Sequence, residues 1–90
     1  MAAELALLGR VRSSLAAGHR SEALKELDAY DRAFPTSTLA EEAAVLRVDA
    51  LTAEGHQAAA AAVARRLLAA DPTSAHAPHL LEVLRANENL

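Results

Sequence analysis

An internal repeat with an offset of 37 residues constrains this chain more than any other feature. Gly18-His19 recurs as Gly55-His56, and Pro35-Thr36-Ser37 recurs as Pro72-Thr73-Ser74. Arg10-Val11 returns as Arg47-Val48, and Ala16, Ala23 and Ala40 return as Ala53, Ala60 and Ala77. A repeat of this length is one supersecondary unit, too small to bury its own apolar face. The units must therefore stack, and the fold is an array rather than a single wound core.

Each recurring residue has a local role. Gly18 and Gly55 suit the end of a helix, where a residue with positive φ is wanted. His19 and His56 follow at once, where partial positive charge suits a helix C-terminus. Pro35 and Pro72 each stop the next helix, lacking the N–H that would continue it. Thr38-Leu39-Ala40-Glu41 reads as a capping box, with the Thr38 hydroxyl and the Glu41 carboxylate satisfying reciprocal backbone donors.

Five helices follow, at about 2–17, 20–34, 38–54, 57–70 and 76–88. Leu8, Val11 and Leu15, with Leu7 beside them, form the apolar stripe of the first, and Leu24, Leu27 and Tyr30 that of the second. The third carries Leu39, Ala43, Leu46 and Ala50; the fourth Val63, Leu67 and Leu68; the fifth Leu80, Leu81 and Leu84. Twenty-four residues are alanine, and Tyr30 and Phe34 are the sole aromatics. Strands favour β-branched and aromatic residues, so this inventory points to helices. Short loops force sequential helices to pack antiparallel. The expected fold is all-α, a single domain of antiparallel helix-turn-helix repeats. Repeat one covers about 3–37 and repeat two about 40–74, with a partial repeat or capping helix at about 76–88.

With these positions in place, the chain resembles the tetratricopeptide repeat family. The family's small residue in the second helix falls on Ala23 and Ala60, its interhelix glycine on Gly18 and Gly55, and its terminal proline on Pro35 and Pro72. The stretch from Leu27 to Ala40, with Tyr30, Phe34-Pro35 and Ser37, is similar to the variant found in bacterial envelope proteins. Those proteins include outer-membrane assembly lipoproteins and the repeat tails of membrane-anchored regulators. The period here is longer than the family's usual one. The family's large aromatic and Leu-Gly pair in the first helix are absent. The resemblance implies a right-handed superhelix whose concave surface is lined by the first helix of each pair. It also implies a protein or peptide partner there, contacting Leu5, Leu8, Arg12, Glu42, Val45, Asp49 and Thr52. The positions of the family's carboxylate clamp hold Leu8, Arg12, Leu46, His79 and Val83, which do not supply its Lys and Asn, so chaperone-tail binding is not expected.

Other classes find little support. The formal net charge is −3, with both signs interspersed, and a nucleic-acid binder would show a basic patch with stacking aromatics. No apolar run reaches the roughly 20 residues that span a bilayer, and Met1-Ala2-Ala3-Glu4 lacks the basic start of a signal peptide. A soluble domain is expected. The compartment stays open between cytoplasm and periplasm, as does a place within a longer protein. Absence of cysteine removes disulfides and thiolate chemistry. His76, His79 and Glu82 share helical spacing, but the ligand set is incomplete and Pro78 lies between the histidines. They read as surface residues near a helix start, and no metal or cofactor is expected. Ser13, Ser14, Ser21, Ser37 and Ser74 lack a nucleophile context and read as caps or solvated positions. Glu41-Glu42 point about 100° apart on a helix and suit its N-terminal dipole.

The expected function is a non-catalytic interaction module. Its rival is self-association as a homodimer, because a short stack leaves apolar ends uncovered. The polar tail Asn87-Glu88-Asn89 suits a solvated C-terminal end. The apolar first helix, with Leu5 and Leu8, suits an N-terminal neighbour or a second copy.

Overall fold

The computed structural model describes residues 2–88. Asn89 of the polar tail lies outside the described residues. Five helices follow in order: α1 Ala2–Ala16, α2 Arg20–Ala33, α3 Ala40–Ala53, α4 Gln57–Ala70 and α5 Ala77–Glu88. No strand occurs among the described residues. Each helix packs on the next in sequence, and α1 also touches α3. The fold is all-α, built from adjacent helix pairs in a repeat-like stack.

The recurring glycines set the first turn of each unit. Gly18 has φ +81° and Gly55 φ +83°, a region that residues with a Cβ enter at a cost. The same two backbone bonds close both turns. His19 N donates to Ser14 O at 2.8 Å and Gly18 N to Leu15 O at 3.1 Å. In the second unit His56 N donates to Leu51 O at 2.8 Å and Gly55 N to Thr52 O at 3.1 Å. These are Schellman motifs, which satisfy carbonyls left over at a helix end. His19 and His56 also occupy the N-cap positions of α2 and α4, without side-chain caps. They face the negative end of one helix and the positive end of the next, so the dipole argument for histidine cancels.

The second turn of each unit corrects the expected capping box. The α3 helix begins at Ala40, two residues later than expected, and its N-cap is Leu39, with no side-chain cap. Thr38 is exposed. Ser37 shapes the turn instead: its Oγ accepts from Leu39 N at 3.0 Å. Ser74 repeats this with His76 N at 3.1 Å. A serine hydroxyl bonding the backbone two residues on makes a compact turn, and it leaves Glu41 free for another partner.

Two core clusters flank α3. The first contains Leu8, Val11, Ala23, Leu27, Tyr30, Ala43 and Ala50. The second contains Val48, Ala60, Val63, Ala64 and Leu80, with Ala44 and Leu51 packed against it. Helix α3 is therefore apolar on two sides, and its expected stripe captured only the side facing the first pair. Ala23 and Ala60 are both fully buried, so the repeated small residue marks the close approach within each pair. Leu81, expected in the α5 stripe, is 50% exposed.

Candidate interaction face

Helices α1, α3 and α5 share one face, because pairs of acidic and basic side chains tie them to one another. Arg12 on α1 reaches Glu42 on α3 at 3.4 Å. Glu42 also meets His76, just before α5, at 3.1 Å. Two turns further along α3, Asp49 meets His79 on α5 at 2.6 Å. The repeat explains the recurrence. Arg12 and Asp49 are the same position in successive units, and so are Glu42 and His79. One cross-helix contact is thus made twice, with the acidic and basic partners exchanged between its two positions. All five side chains are partly exposed, so the pairs are screened by water.

The residues proposed from the sequence as contacts divide on this face. Leu5 is 51% exposed, Arg12, Glu42 and Asp49 belong to the ion-paired row, and Thr52 is exposed with its hydroxyl donated to Val48 O at 2.8 Å. Leu8 and Val45 are corrected. Leu8 is 1% exposed and Val45 8%, so neither offers a surface to a partner. They too are one position of the repeat, turned into the stack. Sequence reasoning missed His76 and His79 as members of the row. Their partners lie about 30 residues away, and only the stacking of α5 on α3 brings them together. No group of three or more His, Asp or Glu suited to a metal ion occurs among the described residues, and His76 and His79 are each directed at an α3 carboxylate.

A second polar cluster lies where α1 begins. Glu4 is 7% exposed, a buried charge. Its Oε2 accepts from the Tyr30 hydroxyl at 2.6 Å and from the Ser37 hydroxyl. The Ser37 bond first, and the Tyr30 bond second, hold the Glu4 carboxyl below the ordinary carboxylate range, against the opposing effect of burial. Burial, followed by the bond to Glu4, raises the Tyr30 phenol. The second unit keeps half of this arrangement: Ser74 Oγ donates to Glu41 Oε2 at 2.7 Å. Both bonds span 33 residues and close a unit by tying its last turn to its first helix. A signal for this was present, since Glu4 and Glu41 are themselves related by the offset of 37.

Among the described residues, no helix is long and apolar enough to cross a membrane. Comparisons with known protein families, with curated proteins and with solved structures find no match for this chain.

Proposed function

We propose that this chain is a non-catalytic interaction module of the tetratricopeptide type, a domain of a larger bacterial envelope protein. A protein or peptide partner docks on the face shared by α1, α3 and α5. The observation that carries this reading is the row of partly exposed, mutually paired acidic and basic side chains made by Arg12, Glu42, His76, Asp49 and His79. Each exposed pair contributes about 0–1 kcal/mol to the fold, so its members exchange partners at little cost. The same charges, desolvated under a partner, contribute about 2–5 kcal/mol when one member is removed.

The test starts with affinity capture of the partner and continues with calorimetric titration. Arg12→Glu with Asp49→Lys weakens binding while the helical spectrum persists. Arg65→Glu with Arg66→Glu, on exposed positions of α4, changes it less. The reverse order of effects would place the partner on the α4 side and end this reading.

Self-association is the second reading, and one observation favours it. Among the described residues, the large exposed hydrophobics are Leu5 and Leu81, on the first and last helices. Light scattering over a wide concentration range separates the two: a strict monomer removes the homodimer.

A further inference from the structure

We propose that the cavity beside Glu4 is a binding site for a primary ammonium group. The cavity, about 370 Å³, is lined by Glu4, Ala33, Phe34, Pro35, Thr36, Ser37 and Thr38. It is an open surface depression rather than an enclosed pocket, which suits a small terminal group. Its wall supplies three kinds of group that suit a cation: a buried carboxylate, hydroxyl oxygens and an aromatic ring. Both hydroxyl donors to Glu4 converge on Oε2, and Oε1 receives no hydrogen bond from the described residues.

The donor count selects the cation. An ammonium brings three N–H donors, which one carboxylate oxygen and two of the hydroxyls of Thr36, Ser37 and Thr38 can accept. Phe34 lines the same cavity and brings an aromatic ring, the group that attracts a cation through its π face. A guanidinium binds best as a fork to both carboxylate oxygens, and Oε2 is already doubly occupied. Calcium sites draw their affinity from several charged ligands, and Glu4 is the single carboxylate in this lining.

The internal repeat separates structural work from site. The Ser–Glu bond occurs in both units, so it belongs to the fold. Thr36 recurs as well, as Thr73, but Tyr30, Phe34 and Thr38 correspond to Leu67, Asp71 and Ala75, so the aromatic residues and the third hydroxyl exist in the first unit alone. The bonds that fix Glu4 use Tyr30 and Ser37, and Phe34 and Thr38 take no part in them. The site lies at the α2–α3 turn and does not depend on the interaction face above.

The experiment is a nitrogen–proton correlation titration of the labelled protein with n-butylammonium chloride, against matched sodium chloride. The expected result is saturable shifts at the amides of Phe34, Thr36, Ser37 and Thr38, with none at Asp71, Thr73, Ser74 and Ala75. Glu4→Gln keeps an oxygen that accepts from Tyr30 and Ser37 but removes the charge, and it weakens binding about tenfold or more, as expected for a lost charge-assisted bond. Should that variant fail to fold, Thr38→Val weakens binding from an exposed position, and n-propylguanidinium binds the unaltered protein less tightly than n-butylammonium. Nα-acetyl-lysine methylamide binding as well as butylammonium assigns the site to a protein lysine, whereas binding of butylammonium alone assigns it to a free amine. Shifts matched by sodium chloride, equal shifts in both units, or undiminished binding by Glu4→Gln would overturn the proposal.

Discussion

Replacing Ala60 with Leu tests the close approach of α4 to its neighbours. Ala60 is fully buried and shares a cluster with Val48 of α3 and Leu80 of α5, both also at 0% exposure. An isobutyl group in place of the methyl has no space there, so α4 must move outward or its neighbours must leave their rotamers. Overpacking of this kind costs about 1–3 kcal/mol. Against a total of roughly 5–13 kcal/mol for a chain of this length, that is a substantial loss. At about 4–8 °C per kcal/mol, the melting temperature falls by roughly 4–24 °C. Ala62→Leu is the control. It makes the same change in the same helix at an exposed position, with the same small propensity difference, and shifts stability by no more than about 0.5 kcal/mol. Thermal unfolding followed by circular dichroism at 222 nm, the standard helix wavelength, reads both about equally well. Equal melting temperatures for the two variants would refute the packing argument.

Two further predictions follow from backbone and charge. Gly9→Ala and Gly55→Ala have opposite signs: neither Cβ meets an atom within 4 Å, so conformation alone decides. In mid-helix the first stabilises by about 0.5–1 kcal/mol, while at positive φ the second destabilises by about 1–2 kcal/mol, and urea midpoints moving in the same direction would contradict this. Because the Glu4 carboxyl is held below its ordinary value of 4.5, its contribution is present above that value and is lost as pH falls through the lowered one. The stability difference between the unaltered protein and Glu4→Gln therefore narrows as urea melts are taken from neutral pH down through about 4.5 and below, and a constant difference across that window would refute the assignment.

The sequence alone determined what depends on a residue and its near neighbours. Glycine at positive φ and proline after a helix are local constraints, so Gly18, Gly55, Pro35 and Pro72 placed the turns, and apolar periodicity placed five helices to within two residues. Their recurrence made a stack of helix pairs legible, with Ala23 and Ala60 buried at the close approaches. Which side of a helix meets which neighbour was decided by tertiary structure. Periodicity defines an apolar side but not its partner, so the second apolar side of α3 and the burial of Val45 were not readable in advance, whereas the place of Leu8 in the α1 stripe already pointed inward. The turn before α3 was misread for a related reason. Thr38 and Ser37 both offer a hydroxyl, and the choice of Ser37 is made by Glu4, a residue far away in sequence that accepts the proton the serine has to donate. The charged row of α1, α3 and α5 likewise exists only once the units are stacked. A hydrogen bond or ion pair between residues 30 or more apart has no local signature, because its geometry is fixed by the packing of whole helices.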